Sequence, residues 1–438
     1  MRSTFRALAI RNYRLFAAGS LVSNIGTWMQ RVAQDWLVLV LTDSPAALGI
    51  TTGLQFLPIL LFSAYAGVVG DLFPKRKVLA VTQTAMGVTA VALGVLAVTG
   101  LVEPWHVYVL AFLFGTCTAF DVPNRQAFVS EMVGRDHVSN AVGLNSASFN
   151  LGRVIGPAVA GLLIAWFGSG VWATGWVILL NAISYVAVVG AILWMRTEDL
   201  HTPEPVARAK GMIRDGLRYV RARNDVMLIL AIVFCAGTFG LNFQMTMAIM
   251  ATQVYGKGAS EYGLLGTVMA VGSLAGALLA ARRTRIRQRL VIGAAIVFAV
   301  VEMVAGMMPT YIAFMIVLPL CGLAALTMIT AANTYVQLAV DPQIRGRVMA
   351  LYMAIFMGGT PLGAPILGWV AEEFGGRWTL IGGGLLTLVG TLLATLIFTR
   401  RSGLVMRARV VPSPGVDVLS RDEYIARRQR KAVGVAAA

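Results

Sequence analysis

Apolar residues in this chain come in long runs separated by short polar punctuation. A membrane-spanning helix needs roughly 20 mostly apolar residues. Runs of that size are expected at about 15–41, 46–70, 78–99, 105–132, 139–166, 173–195, 225–252, 261–281, 289–308, 311–337, 347–371 and 378–399, twelve in all. The longest internal connection, 196–224, divides them six and six. Within it, KGMIRDGLRYVRAR has the pattern of a short basic amphipathic helix suited to a membrane surface. The expected organisation is an N-terminus over 1–14, a six-helix bundle over 15–195, the connection 196–224, a second bundle over 225–399 and a basic tail over 400–438. The tail is punctuated by Pro and Gly and is expected to be mostly disordered, drawn to anionic lipid by its charge. The fold class is therefore an all-α membrane protein of two six-helix bundles.

Composition agrees. Of 438 residues, 58% are hydrophobic and only 13% charged, which sets the chain apart from soluble proteins of this length. A net charge of +16 could suggest nucleic acid, but the basic residues sit in short loops and the tail and leave no folded basic domain. Their distribution instead gives orientation. With the N-terminus inside, the inner loops hold Lys75, Arg76, Lys77, Arg135, Arg208, Lys210, Arg214, Arg218, Arg221, Arg223, Arg282, Arg283, Arg285, Arg287, Arg289, Arg345 and Arg347. The outer loops hold only Lys257 and Arg377. Both termini are expected in the cytoplasm. No cleavable signal peptide is expected, because the first apolar run is too long for one. Cys117, Cys235 and Cys321 are dispersed through apolar segments and read as packing residues. His106, His137 and His201 lie near span ends or in loops, and no nucleophile–base, metal or nucleotide-binding spacing occurs, so an enzyme or ATP-driven pump is not expected.

The halves repeat. Shifted by 207 residues, NLGRVIGPAVAGLLIAWFG (150–168) falls on MGGTPLGAPILGWVAEEFG (357–375). Gly152 meets Gly359, Gly156 meets Gly363 and Gly161 meets Gly368. Parallel six-helix repeats point to a transporter that binds substrate between its halves. In the fifth span, small residues at Gly152, Gly156 and Gly161 permit close helix packing, and Pro157 removes a backbone hydrogen bond. Packing alone and a gating role are both open for this stretch.

After the second span comes GVVGDLFPKRK, in which Gly67, Asp71, Lys75 and Arg76 match the loop signature of the major facilitator superfamily; Leu72 and Pro74 depart from it. Gly67 would let helices approach, and Asp71 could latch one conformation at the inner end. The second-half counterpart, GALLAARRTR, keeps Gly276 but has Ala280 in place of the acid. The fifth-span motif resembles one found mainly in exporters. RNYRLFAAGSLVSNIGTWMQRVAQDWLVLVLT, LQFLP, AFDVPNRQAFVSEMVG and NAVGLNSASFNLGRVIGPAVAGLL together look like the bacterial exporter branch of enterobactin-exporter-like and transmembrane secretion effector proteins. The resemblance covers roughly residues 10–400 and is strongest in the first half. It implies proton-driven export of drug-like or siderophore-like compounds at the bacterial plasma membrane, without a cofactor and with the proton gradient as energy source. The expected partners are lipid, a small-molecule substrate and protons, with the chain working as a monomer. An importer or lipid flippase of the same fold, and a non-transporting membrane sensor or scaffold, remain as alternatives.

Charge at membrane depth marks functional candidates. In the first half these are Arg31, Asp35, Asp121, Arg125 and Arg153. Arg31 and Asp35 are four residues apart on one helical face, as are Asp121 and Arg125. Arginine stays charged whereas an aspartate can be neutralised, so Asp35 and Asp121 are the candidate proton carriers, with Arg31, Arg125 and Arg153 as charge partners. A static ion-pair network is the competing reading. Ser20, Ser23, Asn24, Thr27, Gln30, Arg31, Gln34 and Asp35 form a polar stripe expected to line a wet cavity. Gln55, Asn150, Asn242, Gln244 and Asn333 are further cavity candidates, and Met245, Met247, Met250, Met353 and Met357 suit varied apolar ligands. Glu131 is expected to join the inner gate near Asp71, and Glu302 is a weaker candidate of uncertain depth.

Overall fold

The computed structural model describes residues 5–201, 212–281, 286–342, 344–401, 404–409 and 415–420. Six long helices build the first half: α1 (Arg11–Thr42), α2 (Pro45–Leu72), α3 (Lys75–Val98), α4 (Pro104–Val133), α5 (Val138–Trp166) and α6 (Val171–Leu193). The connection contributes α7 (Met212–Ala222), where the basic amphipathic helix was expected. The second half begins with a broken span: α8 (Asn224–Cys235), a π turn at Ala236–Gly240, α9 (Phe243–Ile249) and a second π turn at Met250–Val254. Then follow α10 (Ala259–Ala281), α11 (Gln288–Met307) and α12 (Tyr311–Ala339). The eleventh span is broken into α13 (Arg345–Gly358) and α14 (Thr360–Phe374) at a Gly-Gly-Thr-Pro step, before α15 (Arg377–Arg401) ends the bundle. Among the described residues, eleven spans are long and apolar enough to cross a membrane. The first span, α1, falls short because of its polar stripe. The chain is a multi-pass membrane protein. The tail differs from expectation: Leu404–Arg409 pairs antiparallel with Gly415–Ser420 as a two-stranded ribbon (β1 and β2).

Each end of the molecule has its own chemistry. The loops rich in Lys and Arg lie at one end, here called the basic end. At the other end Trp105, Trp166, Trp172, Trp369 and Trp378 are each at least half exposed, as aromatic anchors at a membrane interface are. At the basic end, Arg76 donates to the carbonyls of Ile192 (2.9 Å) and Leu193 (2.8 Å), satisfying the last turn of α6.

The sequence repeat reappears as geometry. Gly152 and Gly156 of α5 lie against α1, where a Cβ on either would come within 3.0 Å of backbone or side-chain atoms of Asn24 and Trp28. Their counterparts Gly359 and Gly363 lie in the same way against Thr238, in the seventh span. Gly161 then meets Ala259 and Gly263 of α10, and Gly368 meets Pro45 and Gly49 of α2. The same motif therefore packs each half internally with its first two glycines and ties it to the opposite half with its third. The Gly161–Gly263 and Gly368–Gly49 crossings lie at the end opposite the basic loops. There α5 runs beside α10, and α14 beside α2, at backbone contact.

If the close packing of the motif's glycines sets the fold, Gly156→Val, which crowds α5 against α1 within the first half, should cost about 1–3 kcal/mol, the usual range for overpacking. Gly143→Val, where a Cβ meets open space, should cost much less. Thermal unfolding of the purified detergent-solubilised protein compares them, and equal losses would contradict the packing role.

Candidate functional site

Between the halves lies a cavity of about 640 Å³. That volume lies within the range that holds drug-sized ligands. Its walls come from α1, α2, α4 and α5 on one side and from the broken seventh span, α10, α12 and α13 on the other. It reaches Ser146 and Phe149 near the start of α5, both exposed, on the basic side of the molecule. Toward the opposite end it stops at the glycine crossings.

Asp35 sits at that closed end, only 2% exposed. Its Oδ2 accepts hydrogen bonds from Gln244 Nε2 (2.6 Å) and from the Tyr262 hydroxyl (2.8 Å). Both donors belong to the second half, on α9 and α10. Gln244 and Tyr262 also line the cavity, so they stand between it and Asp35. The expected charge pair within α1 is not formed: among the described residues Arg31 makes no salt bridge, and its buried Nε has no hydrogen-bond partner. The Arg31 guanidinium instead lies 4.9 Å from the Trp28 ring and 5.6 Å from Phe56. Arg153 approaches the same indole at 5.9 Å and donates to Ser273 Oγ across the halves at 3.2 Å.

Asp121 is held differently. Its Oδ1 accepts from Thr82 Oγ1 (2.9 Å) and Gln83 Nε2 (2.7 Å) of α3, and its Oδ2 from Arg125 Nε (2.9 Å). All its partners are within one half. With Asp121 and Arg125 cancelling, the cavity keeps the two cations Arg31 and Arg153, seated among Trp28, Phe56, Phe149, Phe243 and Phe356. Met86, Met245, Met247, Met269 and Met357 add thioether surface. Such a wall suits a ligand with an apolar or aromatic body and a polar or anionic group.

The other candidates divide. Asn24, Thr27, Gln55, Asn150 and Asn242 line the cavity. Gln30 does not: it is 3% exposed and accepts from Asn181 of α6 at 2.5 Å. Gln34 is buried off the cavity as well. The polar stripe on α1 is wider than the strip that the cavity exposes, so half of it turns into its own bundle. Asn333 is also misplaced, lying outside the cavity and bonding with Gln337 on its own helix. Met250 and Met353 lie outside it too. Tyr262, Trp28 and Ser273 escaped the sequence reading. A tyrosine amid the small and apolar residues of YGLLGTVMAVGSLAG was the available signal for the first.

At the basic end, Lys75 Nζ pairs with Glu131 Oε1 at 2.5 Å, joining α3 to α4. The side-chain surroundings of Gly67 and Asp71 lie outside the described residues. At this end α2 approaches α4 at Gly70, against the Asn124 side chain, and further along the pair meets again where Gly115 lies on the Gln55 backbone. At the closed end Glu372 of α14 accepts from Ser44 Oγ (2.5 Å) and from the Ala46 amide (3.0 Å), so an acid of one half caps the first turn of α2 in the other.

Two bundles of six spans, related by a repeat and with a cavity between them, define a membrane transporter. The family model for transmembrane secretion effectors matches residues 2–418, and the chain belongs to that family within the major facilitator superfamily. It is similar to the multidrug efflux pump Tap of Mycolicibacterium fortuitum, 29% identical over 380 residues that cover 82% of this chain and 89% of the relative. It is also similar to the staphyloferrin A transporter of Staphylococcus aureus, 24% identical over 371 residues, covering 83% and 90%. Among solved structures, a D-xylose–proton symporter superposes with TM-score 0.70 at 13% identity, covering 88% of this chain and 96% of that one. The nucleoside transporter NupG gives 0.68 at 13% identity, covering 88% and 99%. These structures show the fold.

A satisfied buried ion pair is costly to break. Asp121→Asn and Arg125→Gln should each destabilise the protein by about 3–5 kcal/mol, with the double variant losing less than the sum. Thermal denaturation of the three variants measures this, and additive losses would show that the two side chains do not act as a pair.

Proposed function

We propose that this protein is a proton-coupled exporter of small amphipathic compounds, an antiporter working by alternating access, with Asp35 as the coupling residue. The observation that carries the reading is the buried carboxylate of Asp35 bonded across the halves to Gln244 and Tyr262. With Asp35 ionised, these bonds hold the far end shut and leave the cavity open at the basic end. The excess of Lys and Arg there supports placing that end, and both termini, in the cytoplasm. A substrate entering from the cytoplasm meets Gln244 and Tyr262 in the cavity wall and draws their hydrogen bonds from Asp35. The far end then opens and the substrate leaves. In the open carrier Asp35 has lost its donors and takes up a proton from outside, and in this neutral form it is carried back from water as the far end closes. Loss of that proton to the cytoplasm re-forms the lock.

Substrate and proton thus loosen the same contact in turn, as antiport requires. Arg31 and Arg153 would hold the polar or anionic part of the cargo, and the aromatic and Met surfaces its apolar body. The name of the efflux pump supports export, and the names of both relatives support a small-molecule cargo. Asp121, satisfied inside one half, serves the scaffold, so the acids of the two pairs have different tasks. The Lys75–Glu131 pair belongs to the gate at the basic end, which must close when the far end opens.

The test is transport by purified protein in liposomes with an imposed pH gradient and a fluorescent pH reporter, using a panel of dyes, antibiotics and iron chelators. Compound-dependent proton movement by the wild type, lost in Asp35→Asn while thermal stability is kept, is the expected result. Unchanged pH-driven transport in that variant would remove Asp35 from the mechanism. Proton movement in the same direction as the compound would make the protein an importer.

A further inference from the structure

Another buried acid lies in the core of the second half, away from the cavity. Glu302 of α11 is 1% exposed, and its Oε2 has no hydrogen-bond partner. Two hydroxyls of α15, Thr387 Oγ1 and Thr391 Oγ1, are fully buried and equally unpartnered. Three orphaned polar atoms in one bundle core are a departure from the rule that buried polar groups pair. Two of them converge. A Cβ on Gly240 would lie 2.9 Å from Glu302 Oε2 and 3.0 Å from Thr387 Oγ1, so both oxygens face the space this glycine leaves empty. On the other side, a Cβ on Gly383 would meet the Phe239 carbonyl at 2.5 Å and Glu302 Oε1 at 3.4 Å.

The backbone that faces Glu302 is the π turn Ala236–Gly240. Such turns often mark functional sites. Gly237 of this turn and the following Leu241 and Asn242 line the central cavity, while Gly240 and the Phe239 carbonyl lie on the Glu302 side. The bend therefore separates the acid from the cavity by a single layer of chain. The buried Asn242 Oδ1, on the cavity side, is also unpartnered.

An isolated carboxylate cannot remain charged at such a place without a counter-charge. Among the described residues, the other titratable groups facing this core are Cys321 of α12, whose Sγ lies on the Val301 carbonyl, and Cys235 of α8, against Gly390 of α15. Arg377 donates to the Gly306 and Met308 carbonyls at the far end of α11. Protonation solves the problem locally: a Glu302 O–H gains a donor, and the unpartnered hydroxyl oxygen that faces it is an acceptor. A sodium ion needs a fuller oxygen shell than a carboxylate and one convergent hydroxyl, and Phe298 closes the same space.

We infer that Glu302 is a second proton-uptake site, in the core of the second half, that exchanges with the cavity through the π turn of the seventh span. It goes beyond the coupling role of Asp35 and does not depend on it. Occupancy of this site would set the shape of the seventh span, which also carries Gln244.

Dicyclohexylcarbodiimide reacts with protonated carboxyls in apolar surroundings and needs no transported compound. The full chain in nanodiscs is labelled across a pH series, with and without sodium, and the peptide carrying Glu302 is quantified by mass spectrometry. Glu302→Gln supplies the control that removes the label. The expected result is labelling at Glu302 that falls about tenfold for each pH unit above a midpoint and is indifferent to sodium. Labelling that stays flat with pH, or no labelling, would reduce Glu302 to a static buried group and overturn the inference. Protection by sodium at constant pH would overturn the proton as occupant. Because Asp35 is read in the same digest, its success or failure as a titrating group is seen separately.

Discussion

A carboxylate buried in a membrane protein must find donors, and Asp35 finds both of its donors in the opposite half of the molecule. Away from water no solvent can substitute for them. Among the contacts that join the two halves at one end is therefore a bond whose strength depends on the charge of a single side chain. The glycines at the same end let the helices come close enough for that bond to form. The free volume is displaced toward the basic end, where the cavity opens.

The two acids of the first half show why spacing alone does not assign a role. Asp35 and Asp121 each have an arginine four residues away, yet only Arg125 pairs with its aspartate. Asp121 has three partners in its own bundle and is fixed by them. Asp35 has partners that move relative to it when the halves move. Arg31, which forms no salt bridge with Asp35, lies against the rings of Trp28 and Phe56 and is cavity surface. A charge that contacts the other half can report on conformation, and one that is saturated within its own half holds that half together.

Much of the fold was legible because apolar runs of spanning length are nearly unambiguous, and the twelve spans, the six-plus-six split, the amphipathic α7 and the repeat all come from local pattern. The glycine register extended into space because small residues at four-residue spacing have few other uses. What escaped depended on rotation and on the opposite half. Gln30 and Gln34 share the polar face of α1 with Asn24 but are buried off the cavity, Gln30 against Asn181 of its own bundle. Asn333, a cavity candidate by its polarity alone, bonds along its own helix. Tyr262, the partner that gives Asp35 its meaning, is 227 residues away, and no period within one half could join them. The breaks of the seventh span at two π turns leave no strong signal in an apolar run, and the tail ribbon runs against its loop-like composition.

The measurement that bears most directly on the inter-half lock is the distance between spin labels at Leu101 and Pro309, in loops of the two halves at the closed end, by double electron–electron resonance in nanodiscs. If the ionised Asp35 holds that end shut, lowering the pH should populate a longer distance, Asp35→Asn should populate it at neutral pH, and Asp121→Asn should not. A distance distribution that ignores both pH and Asp35→Asn would contradict the account.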